Sequence, residues 1–204
     1  MPSSAQRWAT TPGIIRNVST CQAQDRNGWW VIDEWIEGRS LKERLREGSV
    51  GRQTAFRFGI AIAEAMRVLH ANDIVRRELT PECLLIEQQG ERVVLTEFEL
   101  AKLLDGSPTV STGEWKVDPY RAPEAESDDV DHRADIYSWG RIMLELLLGS
   151  LPEVGTEKSA LKKFQLSQPE AKLLGRCLSV SRRSRPNGFD DVLSELKKWN
   201  HCDE

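Results

Sequence analysis

A chain of 204 residues is long enough for one domain with a real core, and 39% hydrophobic with 29% charged residues excludes a disordered tail or a membrane array. The formal net charge of -4 gives no electrostatic reason to expect nucleic acid or an anionic membrane as partner. Four scattered cysteines (Cys21, Cys83, Cys177, Cys202) form no Cys-x-x-Cys pair, and only His70, His132 and His201 could join them. Reduced, mostly buried thiols are expected rather than a zinc site.

In chain order, residues 14–21 and 29–36 read as two strands joined by a polar turn at residues 24–28. Gly38 breaks the pattern, and Ser40 is placed to cap a short charged helix over 41–46. Residues 53–70 form a long helix, with Phe58, Ile62, Ala65 and Leu69 in one apolar stripe. The apolar runs 84–86 and 93–95 suggest a small hairpin, and 104–119, rich in Gly, Ser, Thr and Pro, a loop. A second long helix is predicted over 135–148, ending at Gly149 and apolar on nearly every side, hence central. Helices over about 170–178 and 190–199 close the chain. The longest apolar run, 142–148, is broken by Glu145 and is far too short to span a membrane. The start, Met-Pro-Ser-Ser-Ala-Gln-Arg, lacks the apolar segment of a secretory signal, so a cytoplasmic location is expected.

Seven segments then carry a resemblance. They are Thr11-Pro12-Gly13-Ile14-Ile15-Arg16, Val31-Ile32-Asp33-Glu34-Trp35-Ile36-Glu37-Gly38, and Ile74-Val75-Arg76-Arg77-Glu78-Leu79-Thr80-Pro81-Glu82-Cys83. Further on come Thr96-Glu97-Phe98-Glu99-Leu100-Ala101-Lys102, Tyr120-Arg121-Ala122-Pro123-Glu124, Asp135-Ile136-Tyr137-Ser138-Trp139-Gly140 and Arg185-Pro186. In this order they resemble the protein kinase superfamily, closest in texture to eukaryotic-like serine/threonine kinases. The resemblance implies an α+β fold: a mainly helical large lobe (38–200), a two-strand remnant of the small lobe with the hinge (1–37), and a tail (201–204). It makes Glu34, Trp35 and Ile36 the hinge remnant.

Phosphoryl transfer needs metal ions, a lysine on the phosphates and a carboxylate that orients the attacking hydroxyl. Ahead of the hinge stand only two glycines, Gly13 and Gly28, and the first lysine is Lys42, so no Gly-rich loop and no anchoring lysine precede it. Glu78 stands at the catalytic-base position, Thr80 for a lysine, Cys83 for a metal-holding asparagine, Glu97 for the metal-binding aspartate and Glu99 for the adjacent glycine. Asp33 would set a carboxylate beside the adenine site. These departures imply a non-catalytic kinase-like (pseudokinase) module acting through protein binding or regulation, with no cofactor: neither ATP nor Mg²⁺ is expected. A truncated Ser/Thr kinase with residual or complemented ATP-dependent transfer, and a metal-independent nucleotide sensor, are the alternatives.

Retained residues are read as structural. Glu124 and Arg185 are placed to pair, and Asp135 to cap its helix and to accept bonds from the catalytic-loop backbone. Arg77 stands where many kinases read a phosphate, with Ser107, Thr109, Ser111 and Thr112 as nearby acceptors, although satisfaction of loop carbonyls is the plainer role. Trp139 and Trp199 are expected in the core. Trp29, Trp30 and Trp35 lie where further small-lobe strands would pack, so Trp29 and Trp30 mark an expected interface with another protein or a second copy.

Overall fold

The computed structural model describes residues 12–22, 24, 29–88, 92–97, 102–103, 118–125, 130–163 and 166–199, with the backbone alone for Trp29, Lys102, Leu103 and Lys163. Two short strands, β1 (Asn17–Gln22) and β2 (Trp29–Asp33), pair antiparallel with Thr20 opposite Val31 and Cys21 opposite Trp30. Both are shorter than the sequence pattern suggests. The chain at Gly13–Ile15 leaves β1 to bond elsewhere: Ile15 N donates to Leu95 O (3.0 Å) and Leu95 N to Gly13 O (2.8 Å). Gly13 holds a φ of 85°, which a side chain would strain, so this crossing depends on glycine. At the other end residues 34–37 run irregularly out of β2, leaving Trp35 90% exposed and Ile36 buried.

A three-stranded sheet follows, with β3 (Gly38–Ser40) and β6 (Val93–Leu95) flanking β5 (Leu84–Glu87). The 84–86/93–95 hairpin is as read, but Gly38 begins a strand rather than breaking one. A Cβ on Gly38 would sit 2.2 Å from Ile86 O, so glycine lets the two backbones approach. Ser40 caps α1 (Leu41–Arg46): its hydroxyl accepts from Glu43 N (3.1 Å) while its own N–H donates to the Glu43 carboxylate (2.8 Å). A further pair, β4 (Ile74–Val75) with β7 (Lys102–Leu103), brackets the loop that matters below.

The helical body is built on α2 (Arg52–His70) and α3 (Arg133–Leu148), with α4 (Glu157–Lys163), α5 (Gln168–Cys177) and α6 (Phe189–Trp199) packed around them. Phe58, Ile62, Ala65 and Leu69 all face inward from α2. Gly59 lets α3 approach: a Cβ there would meet Met143 Sδ at 2.3 Å, and Trp139 Nε1 instead donates to Gly59 O at 3.0 Å. Helix α3 is buried from Ala134 to Leu146 and ends at Gly149, whose φ of 72° closes the last turn. Phe56 of α2 meets Trp199 of α6 edge-on at 5.1 Å. Of the described thiols, all free, Cys83 and Cys177 are buried and Cys21 on β1 is exposed, in keeping with mostly buried cysteines. No described helix is long and apolar enough to cross a membrane.

Candidate functional site

The site is organised around one fully buried carboxylate. Asp135 Oδ1 accepts from Arg77 N (2.7 Å) and Oδ2 from Arg76 N (2.8 Å), with His70 Nε2 2.9 Å from Oδ2. Two adjacent amides can face one carboxylate because Arg77 turns to a φ of 64°. Asp135 does not cap its helix, as had been expected: the N-cap position falls on His132, and both Asp135 oxygens are taken by the loop. The carboxylate thus fixes the backbone of residues 76 and 77 from behind.

The side chains of that loop point to different tasks. Arg76 reaches Thr96 O (3.1 Å), tying the loop to the segment that carries Glu97. Arg77 donates to Ala125 O (2.9 Å), satisfying a loop carbonyl; Ser107, Thr109, Ser111 and Thr112 lie outside the described residues. Glu78 is held by Arg121, Nη2 to Oε1 at 2.5 Å, with the two side chains 20% and 12% exposed. Cys83 is folded back into the loop, its Sγ donating to Thr80 O (3.1 Å) and accepting from Thr80 N (3.4 Å). Burial pushes the Cys83 thiol up, with the Arg76 charge opposing, so a neutral thiol is favoured. Glu97 is exposed with a φ of 58° and borders an open cleft of about 460 Å³, together with Gly38, Lys42, Glu82 and Leu85. Phe98 and Glu99 lie outside the described residues.

In the segment read from the sequence as a hinge remnant, Glu34 accepts from Arg16 N (3.1 Å) and its N–H donates to Arg16 O (2.9 Å). Asp33 is exposed and takes a bond from Asn17 Nδ2 (3.0 Å). Trp30 is 65% exposed on β2; of the Trp29 side chain nothing is described. Glu124 receives both arms of Arg185, with Nη2 to Oε2 at 2.9 Å, and Arg185 also donates to Arg133 O (2.9 Å) and lies over the Tyr137 ring.

Two groups escaped the sequence reading. Arg121 lay within the quoted Tyr-Arg-Ala-Pro-Glu segment, yet only Glu124 was singled out there. The other is a buried cluster: the Tyr120 hydroxyl donates to Glu145, and Lys42 Nζ donates to that hydroxyl at 3.1 Å. Burial first, then Glu145, pushes the Tyr120 phenol far above its ordinary range. Nothing in the sequence links residues 42, 120 and 145, which come from α1, the 118–125 segment and α3.

The chain matches the protein kinase domain family over residues 4–199, and it belongs to that family. It is 29% identical over 146 residues to a probable serine/threonine-protein kinase of Clostridium perfringens, covering 70% of this chain and 21% of that protein. It is 30% identical to the serine/threonine-protein kinase STY46 of Arabidopsis thaliana, covering 82% of this chain and 31% of that protein. PrkC of Bacillus subtilis, a serine/threonine-protein kinase, is also 30% identical, with coverages of 71% and 23%. The chain therefore spans between a fifth and a third of the length of these relatives.

These findings correct two expectations. The departures from the motif pattern pointed to a non-enzyme, but the relatives are named as serine/threonine protein kinases, which overturns that reading. The expectation of neither ATP nor Mg²⁺ falls with it, because members of the family use both. The described residues fit the metal poorly all the same: none forms a cluster of three or more His, Cys, Asp or Glu. Mg²⁺ takes hard oxygen donors, whereas Cys83 offers a buried, protonated sulfur. Glu97 and Glu82 bring hard-oxygen donors to the open cleft beside the loop.

Proposed function

We propose that this chain carries the large lobe, hinge and two small-lobe strands of a serine/threonine protein kinase, which transfers phosphate from ATP to a hydroxyl. Residues 1–37 are the small-lobe part, 38–200 the large lobe and 201–204 a tail. The observation that supports the reading is the preset loop: Asp135 fixes the backbone at Arg76 and Arg77, next to Glu78, which this reading takes as the catalytic carboxylate. Glu78 orients the substrate hydroxyl and takes its proton as the oxygen bonds to the terminal phosphorus of ATP and ADP departs. Its extra methylene relative to aspartate moves the carboxylate by about an ångström, and misplacement of that size costs roughly 100-fold.

Radiolabel transfer from ATP with Mg²⁺ to a Ser/Thr peptide pool tests this, on the chain alone and on the complex recovered from its own cells. Slow transfer is expected, lost in Glu78→Gln and raised by up to ~100-fold in Glu78→Asp. If the wild type and Glu78→Asp are both silent in the recovered complex, the reading is wrong.

A second activity, protein binding, is favoured by the exposed apolar residues Trp30, Val31 and Ile32 on β2. Their partner is a strand of another protein, or of a second copy, added to this small sheet.

A further inference from the structure

The Glu78 contact with Arg121 is absorbed neither by the family resemblance nor by the reading above. We propose that Arg121 is a positioning residue for phosphotransfer: its guanidinium aims the Glu78 carboxylate, a constraint that the longer side chain makes necessary. This rests on the proposed activity.

An aspartate at residue 78 would hold its carboxylate by two side-chain torsions from a backbone that Asp135 fixes at residues 76 and 77. Glutamate adds a third torsion, and with it freedom that must be removed before the carboxylate can face a hydroxyl. Arg121 removes it. Nη2 engages one carboxylate oxygen, Oε1, at 2.5 Å and leaves the other to receive a proton. The pair is largely shielded from solvent, where a charge-assisted bond is stronger than at a surface.

Arg121 is itself held firmly enough to serve as a reference point. Its N–H donates to Asp118 O (3.2 Å), and three residues later Glu124 is gripped by Arg185. The same segment is tied to the loop a second time, because Arg77 donates to Ala125 O. The loop bearing Glu78 and the segment bearing Arg121 therefore share one frame, cross-linked at two points. A carboxylate aimed from such a frame is aimed reproducibly.

The alternative meaning of the same contact is a lock that keeps Glu78 from substrate, and kinetics separates the two. Arg121→Met is expected to lower kcat by roughly 10- to 100-fold with KM for ATP and peptide unchanged. Arg121→Lys should recover part of the loss. In a Glu78→Asp background the shorter arm no longer depends on the guanidinium, so adding Arg121→Met should cost far less. A purely structural role would give the same loss in both backgrounds. Unchanged or raised kcat in Arg121→Met, or equal losses in the two backgrounds, overturns the proposal. A melting cycle of Glu78→Gln with Arg121→Met reads the contact without reference to activity and should be non-additive. Should the wild type transfer no phosphate, the proposed activity fails and the melting cycle decides alone. Additive shifts then overturn the inference, and non-additive shifts keep Arg121 as the holder of Glu78.

Discussion

The β1–β2 pair and the α2–α3 contact both carry tryptophan and aliphatic residues, yet these end in opposite surroundings. Trp30, Val31 and Ile32 are exposed on their strand, while Trp139, Ile136 and Met143 are completely buried between helices. Residue type does not separate the two regions; neighbours do. Among the described residues, helix α3 packs on α2 and α5, whereas β1 and β2 contact chiefly each other, with Ile15 bonded to Leu95 beside them. Two strands alone are marginal in water, so the small sheet draws its stability from the helical body. Stability and adhesiveness are thus held in different places.

The largest effect expected from that contrast is at Trp139. Trp139→Ala opens a cavity in the helical core and removes the indole bond to Gly59 O, and should lower stability by about 3–5 kcal/mol in denaturant titration. The same truncation at Trp30 should change stability by less than about 0.5 kcal/mol. Equal losses would erase the distinction between the regions. Next comes the clamp at Arg185. Arg185→Met removes both bonds to Glu124 and should cost about 3 kcal/mol, at the low end for a broken buried pair because Glu124 keeps some solvent. A loss near zero would mean that the segment carrying Arg121 is held by other contacts.

A smaller effect depends on pH. Burial pushes the Cys177 thiol up to about 12 from a usual 9.0. The folded state therefore favours the protonated thiol, and above pH 9 the unfolded chain loses its proton first. Stability is fully present below about pH 9 and declines as pH rises toward 12, by about 1.4 kcal/mol per unit from this group. Cys177→Ala keeps the Cβ that packs on Gly140 and should flatten part of that alkaline slope. An unchanged slope would show that this thiol does not drive it.

How much of this could be read beforehand depends on where the causes lie along the chain. The stripe of α2, the Ser40 cap and the Gly149 stop are local signals, and each element ends within two residues of its predicted boundary. Strand β3 was missed because Gly38, Arg39 and Ser40 have no strand propensity of their own; pairing with β5 imposes the conformation. Helix α4 was missed because it is short and charged, with a single buried aliphatic residue, Leu161. At the site, motif order brought Glu78, Cys83, Asp135, Glu124 and Arg185 into view. The contact of Arg121 with Glu78 crosses 43 residues and left no local trace. The expectation of an inert protein arose from treating each substitution as a lost group. A substitution has a local chemistry of its own, as the Cys83 thiol shows by bonding Thr80 within the loop.

The smallest effect on stability should come from the surface that most resembles an interface. Trp30→Ser with Ile32→Ser removes two large apolar groups that point to the same face of β2, since residues two apart in a strand share a side. Neither is buried, so their loss should leave the melting temperature of the helical body within about a degree. What should change is association. Strand β1 carries no charged residue from Asn17 to Gln22, and β2 carries only Asp33, so little on this sheet repels an added strand. Sedimentation of the wild type over a wide concentration range, with and without extract from its own cells, should show self-association or a captured partner that the double variant loses. A monodisperse wild type whose recovered partners all persist in the double variant would leave this sheet exposed without a binding role. The contrast with the core would then be one of packing alone.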